Sequence, residues 1–255
     1  MGRGGAADRR ALRRPGGRSD HTRRLDNCRA VFLDAGGVIV LPHRDLVAGA
    51  LSRVGITIDP SEVPRAHYRA VHTLDRAPPP PTGYQGALFP QFGIVPGRTA
   101  EALEAWEWLA DRSRSSVVLW SEPTPGALET IAALSRRGIA IVIVTNSDGH
   151  AAENLAACGF AGIPVIDSAI VGAAKPDPRI FEAALALAGV RADQVVHVGD
   201  TLAADVAGAR SAGITPIHFD PLRACRARDH RHVRTLAGIR QHVSPTALGK
   251  KRPPC

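Results

Sequence analysis

What this chain has little of narrows its class before any motif is considered. Its longest apolar runs, such as Gly138 to Val144, fall far short of the roughly 20 residues that cross a bilayer, so no membrane span is expected. The four cysteines, Cys28, Cys158, Cys225 and Cys255, stand far apart and form no Cys-X-X-Cys pair. That spacing argues against a zinc site or a disulfide-stapled fold and fits a reducing, cytoplasmic compartment. Residues 1–27 lack the apolar segment of a secretory signal, and Ala6 stands where N-myristoylation needs Ser or Thr. No internal repeat is visible. Lysine is the scarcest basic residue: from Met1 to Gly249 every cationic side chain is Arg except Lys175.

What is present suits a folded α/β protein. The chain has 255 residues, 44% of them hydrophobic and 22% charged, enough for one large domain or a core with an insertion. Its net charge of +8 is unevenly spread: +5 over residues 1–27, −5 over 28–220 and +8 over 221–255. A folded domain that grips nucleic acid carries a basic face of its own, so nucleic acid is not the expected partner. The ends read as a disordered basic arm, 1–27, and a loosely attached basic tail, 221–255.

Short apolar strands alternate with amphipathic helices between these ends, the pattern of a Rossmann-like parallel sheet with crossover helices. Strands are expected at Ala30 to Leu33, Ile139 to Thr145, Val165 to Val171, Gln194 to Val198 and Thr215 to His218. Pro125 and Asp148 sit where helices through Arg137 and Cys158 begin, and Pro178 to Ala188 and Ala203 to Ala212 complete the set. Residues 41–121 contain no convincing strand and read as an inserted helical cap, which leaves 28–40 and 122–220 for the core. Asp45, Ser61 and Thr99 are expected to cap its helices, with a Pro/Gly-rich loop over Pro78 to Pro96.

In an open parallel sheet, ligands lie beyond the carboxyl ends of the strands. Just past those ends stand Asp34, the Thr145-Asn146-Ser147 run, Lys175, and Asp200 with Asp205 five residues on. Three carboxylates at one edge repel one another unless a hard cation such as Mg²⁺ joins them. Gly36 and Gly37 allow a tight turn whose amides can approach a phosphate, and Thr145 can donate to another phosphate oxygen. Lys175 adds a compact cation on a flexible stem.

These segments resemble the haloacid dehalogenase-like (HAD) hydrolase superfamily, over about Ala30 to Phe219. Phe32-Leu33-Asp34-Ala35-Gly36-Gly37-Val38 resembles the first motif and Val144-Thr145-Asn146-Ser147 the second. Lys175-Pro176-Asp177-Pro178 resembles the third, and Val198-Gly199-Asp200 through Asp205 the fourth. The insertion resembles the helical cap of the first cap class. The resemblance implies a phosphatase or phosphotransferase acting on a small phosphorylated metabolite. Asp34 would be the nucleophile that forms an aspartyl-phosphate, Thr145 and Lys175 would steady the transferred group, and Asn146 would assist. Mg²⁺ would be held by Asp34, the carbonyl of Gly36, Asp200 and Asp205.

One departure matters. The phosphatase pattern has a second Asp two residues after the nucleophile, to protonate the leaving oxygen, and this chain has Gly36 there. General acid–base assistance is worth about 10² to 10⁴ in rate, so turnover of alkyl phosphates should be slow unless His67 or His72 substitutes. Two other readings follow from that gap: a regulatory module that binds Mg²⁺ and phosphate, and a dehalogenase-type hydrolase, against which Asp200 and Asp205 weigh. The cap carries no recognition motif that names a substrate, and nothing in the chain indicates an oligomeric state.

Overall fold

The structure, a computed structural model, describes residues 25–113 and 118–245. Expectations for residues 1–24 and 246–255 lie outside the described residues. In chain order, β1 (Leu25–Cys28), β2 (Ala30–Leu33) and β3 (Val40–Pro42) come first. Helices α1 (Arg44–Arg53), α2 (Val63–Leu74), α3 (Gly83–Leu88) and α4 (Thr99–Ser113) follow. After β4 (Trp120–Pro123) come α5 (Ala127–Ser135), β5 (Ala140–Thr145), α6 (Ala151–Leu155), β6 (Val165–Asp167) and α7 (Ser168–Val171). The chain continues with α8 (Pro178–Ala188), β7 (Val195–Gly199), α9 (Gly208–Ser211) and β8 (Thr215–Phe219), and closes with β9 (Arg231–Val233) and β10 (Val243–Pro245).

Six strands form the main sheet in the order β6-β5-β2-β7-β8-β9, every neighbouring pair parallel. Side chains alternate across it with period two. Val31, Leu33, Ile141, Ile143, Val196 and Val198 pack on one face with Leu134 of α5. Phe32, Val142, Val144 and Val195 pack on the other with Ile180 and Phe181 of α8. Burial on both faces explains the nearly continuous apolar runs of β2, β5 and β7. β2 lies between β5 and β7, where the strand order reverses, so the crevice beyond its carboxyl end is the natural ligand position. The inserted helices bury a separate core around Leu51, Val63, Leu88, Phe89, Ala102 and Leu109.

Several expectations are corrected. The strand expected through Val171 stops at Asp167, whose carboxylate accepts from the amides of Ala169 (2.9 Å), Gly149 (3.1 Å) and Ala151 (3.2 Å). Asp167 thus serves the starts of both α6 and α7, the first in place of Asp148. Asp59, not Ser61, caps the turn before α2, and His43 occupies the cap position of α1 ahead of Asp45. The proline-rich stretch orders as α3 and a 3₁₀ turn over Phe89–Phe92, because Ala87, Leu88 and Phe89 bury against the inserted helices. Residues 41–121 do contain strand: β3 pairs antiparallel with β4, forming a two-stranded stalk beneath those helices.

The largest correction concerns the C-terminal segment, expected to be loosely attached. β9 extends the main sheet beside β8, β10 pairs in parallel with β1, and Val233, Leu236, Ile239 and Val243 are buried. The disordered reading of residues 1–27 fails for Leu25 onward for the same reason. Val233, Leu236, Ile239 and Val243, scattered among arginines, join the core on one face of the main sheet.

Candidate active site

Asp34 follows β2, Thr145 ends β5 and Asp200 follows β7, so the parallel sheet carries all three to one edge. A cleft of about 770 Å³ between this edge and the inserted helices is lined by Asp34, Gly36, Thr145, Asn146, Lys175 and Asp200. Lys175 reaches it from the segment before α8, where its backbone is clamped by one side chain. The Asn146 Oδ1 accepts from the Lys175 amide (2.7 Å), and Asn146 Nδ2 donates to the Lys175 carbonyl (3.0 Å).

The buried Lys175 ammonium lies 2.7 Å from Asp34 Oδ1 and 2.7 Å from Asp205 Oδ1. Burial alone would lower its pKa, but the two carboxylates overcome that and hold it above the ordinary lysine value. Asp205 also accepts from His197 Nε2 (2.9 Å), the Thr201 amide (3.1 Å) and the Thr201 hydroxyl (2.6 Å). Burial opposes its ionisation, yet Lys175 and His197 hold its carboxyl well below the usual range. With Lys175, four donors fill the roughly four acceptor positions of one carboxylate. Asp205 therefore positions Lys175, and its carboxylate stands with those of Asp34 and Asp200 in the group expected to hold a metal ion.

Asp34 differs in kind. Its Oδ1 accepts from the Ala35 amide (2.7 Å) as well as Lys175, and the residue lines the cleft. Burial pushes its pKa up to about 7, with Asp205 and Asp200 adding to the rise and Lys175 opposing it. Carboxylate oxygens of Asp34, Asp200 and Asp205 lie within 4.8 Å of one another. Asp34 and Asp200 carry fewer donors than Asp205 and so keep more acceptor positions open for a cation.

The inserted helices enter the cleft through α2. His67 Nε2 lies 3.0 Å from Asp200 Oδ2, and His67 Nδ1 lies 2.8 Å from the Tyr84 hydroxyl. An ionised carboxylate only accepts, so Nε2 carries the proton and Tyr84 donates to Nδ1. Gly37 has φ +80°, and a Cβ there would stand 2.0 Å from Asp200 Oδ2 and 2.5 Å from His67 Nε2. Only glycine fits. The Gly37 amide donates to the Val40 carbonyl (2.8 Å), so its expected role in phosphate binding is replaced by the turn itself. At Gly36 a Cβ would meet the Trp120 ring at 3.3 Å, and that ring is itself packed edge-on to His67.

His72 does not line the cleft. Sequence reasoning missed His197, Thr201, Tyr84 and Trp120. His197 was the most findable: an imidazole inside the apolar run of β7 must have a buried partner, and Asp205 is that partner.

A model of the haloacid dehalogenase-like hydrolase family matches residues 28–213. The chain belongs to this family. The phosphoserine phosphatase of Thermus thermophilus is 36% identical over 140 residues, 54% of this chain and 52% of that protein. The phosphoglycolate phosphatase of Rhodospirillum rubrum is 42% identical over 96 residues, 35% of this chain and 38% of that one. The chain thus spans about half, or less, of the length of these curated relatives. Among solved structures, the magnesium-bound HAD-hydrolase YfnB of Bacillus subtilis superposes with a TM-score of 0.59 at 18% identity, covering 85% of this chain and 98% of that one. A HAD family hydrolase of Deinococcus radiodurans with bound phosphate and sodium has a TM-score of 0.57 at 22% identity, covering 86% and 99%. These two show the fold.

Proposed function

We propose that this HAD-family protein hydrolyses small phosphate monoesters through an aspartyl-phosphate on Asp34. The observation that carries the reading is the Lys175 ammonium bound to Asp34 and Asp205 at once, 2.7 Å from each, opposite Asp200. Lys175 and the Ala35 amide hold the Asp34 carboxylate in place for attack on phosphorus. The ester oxygen departs with the bond electrons, and water then cleaves the acyl phosphate and returns Asp34. Thr145, Asn146 and Gly36 line the cleft with Asp34 and would face the phosphoryl group there.

A divalent ion suits this donor set. Three carboxylates converge on the Lys175 ammonium, and burial, with Asp205 and Asp200 adding, pushes the Asp34 pKa up to about 7. Asp34, Asp200 and the Gly36 carbonyl are the hard oxygens that would hold Mg²⁺, which when bound supplies charge compensation for the phosphoryl group. His67, with both ring nitrogens engaged by Asp200 and Tyr84, orients Asp200 and does not replace the missing acid.

Two features point to the substrate class. Tyr84, Trp106 and Trp120 form an aromatic wall, and no arginine stands among the described lining residues to pair with a substrate carboxylate. With no acid at position 36, leaving groups that need no proton are favoured. Aryl and other apolar phosphomonoesters are therefore the expected substrates, unlike the carboxylate-bearing ones in the relatives' names. Mg²⁺-dependent phosphate release from para-nitrophenyl phosphate and from alkyl phosphates tests this. We expect kcat/KM to favour the aryl ester by about 10² or more. Equal rates would contradict the leaving-group reading. Binding of Mg²⁺ and phosphate without any turnover would instead establish the binding module that Gly36 suggests.

A further inference from the structure

The sequence has no Cys-X-X-Cys pair, yet the fold builds a thiol–imidazole cluster from residues 218–232, at the β8–β9 edge of the sheet. His218 on β8 and His232 on β9 are register partners in adjacent parallel strands, and the ring of His230, just before β9, lies 4.5 Å from that of His232. Cys225 comes from the loop between the strands. One donor atom from each of His218, Cys225, His230 and His232 lies within 4.8 Å of the others. The loop is pinned to present them: Asp220 accepts from the Ala224 (2.9 Å) and Cys225 (3.0 Å) amides.

The proton positions follow from the partners. His218 Nε2 donates to the Asp200 carbonyl (3.1 Å), which leaves the Nδ1 lone pair of the neutral ring free. His230 Nδ1 donates to Asp229 Oδ1 (2.8 Å), which leaves the Nε2 lone pair. Arg210 holds that carboxylate in place (3.2 Å). These two lone pairs face each other across 3.4 Å, with Cys225 Sγ 3.7 Å from His230 Nε2 and the buried His232 Nε2 lacking any partner. In a tetrahedral zinc site with Zn–N near 2.05 Å and Zn–S near 2.3 Å, the ligand–ligand edges are about 3.3 Å for N–N and about 3.6 Å for N–S. The observed 3.4 and 3.7 Å match both. The carboxylate and carbonyl behind the rings are the outer partners that metal-bound histidines usually have.

We infer that His218, Cys225, His230 and His232 form a structural Zn²⁺ site. Four protein ligands leave no open position, so the ion's role is to fasten the edge strand β9 and the loop before it to β8. His218 also holds the Asp200 main chain, which ties that fastening to one wall of the cleft. The inference stands whether or not the cleft hydrolyses phosphate esters.

Co²⁺ is the direct probe. The full chain, stripped with a chelator and supplied with saturating Mg²⁺ to fill the carboxylate cleft, is titrated with Co²⁺. We expect the intense visible bands of tetrahedral Co²⁺ and a thiolate charge-transfer band, saturating at one ion per chain and displaced by Zn²⁺. Cys225→Ser should abolish the charge-transfer band, and Asp34→Asn should leave it intact. Wild-type melting with Zn²⁺ and with chelator supplies a readout independent of any variant's folding, and Zn²⁺ should raise Tm. Absence of a saturable tetrahedral spectrum in the wild type, or a charge-transfer band unchanged in Cys225→Ser, would overturn the assignment.

Discussion

Position 36 shows how one side chain and its neighbour set the chemistry together. Replacing Gly36 with Asp looks like a repair, but its Cβ would meet the Trp120 ring at 3.3 Å, and that ring is wedged against His67 and Tyr84. Gly36→Asp alone is therefore expected to leave alkyl-phosphate turnover unimproved. Gly36→Asp with Trp120→Ala should exceed it by at least about 10-fold, within the 10² to 10⁴ that a general acid supplies. Steady-state rates with circular dichroism on both variants check this. Asp205→Asn should cut kcat by about 10² or more with little change in KM, because it releases Lys175 from its second anchor without touching substrate. Lys175 was legible through its isolation among arginines, and Asp34 and Asp200 through their places after apolar runs. Trp120 and Tyr84 were not, because they approach the cleft from an insertion whose packing no local pattern specifies.

Among the elements, those whose apolar residues recur with one clear period were legible: β2, β5, β7 and α8 fall where strand and helix patterns put them. β1, β9 and β10 are three or four residues long, too short for a period, and their burial comes from tertiary pairing. That pairing predicts a sharp boundary. Deleting residues 1–24 should leave Tm unchanged, since their composition offers little apolar surface, whereas deleting residues 1–28 removes β1 with buried Cys28 and exposes β10. We expect the longer deletion to cost about 2 to 3 kcal/mol, a fall in Tm of roughly 5 to 10 °C by calorimetry. At the end of α2, Asp75 Oδ1 accepts from the Leu202 amide, and burial raises its pKa to about 6. A carboxyl raised in the folded state stabilises most below its unfolded pKa and loses that contribution as pH rises through 6. Asp75→Asn, which keeps the acceptor, should thus stabilise the Mg²⁺-free protein at pH 8 by on the order of 1 kcal/mol after allowing for its exposure, and give no gain near pH 4. Urea melts at the two pH values decide it.

For the molecule as a whole, the parallel order of the sheet does the assembling. It brings residues from Asp34 to Asp205, far apart in sequence, to one edge, and it places the thiol–imidazole cluster at the outermost strand pair. Charge is arranged otherwise: the acidic stretch 28–220 contains the cleft, while the basic excess lies toward the ends of the chain. No helix among the described residues is long and apolar enough to cross a membrane. Phosphoryl transfer through Asp34 is the step on which the proposed function rests. Acid-quenched protein from a reaction with para-nitrophenyl phosphate and Mg²⁺, digested and examined by mass spectrometry, tests it most directly. We predict a hydroxylamine-labile phosphoryl group on the peptide holding Asp34, absent in Asp34→Asn and after chelation of Mg²⁺. Undiminished turnover by Asp34→Asn, or a phosphoryl group on any other residue, would contradict the account.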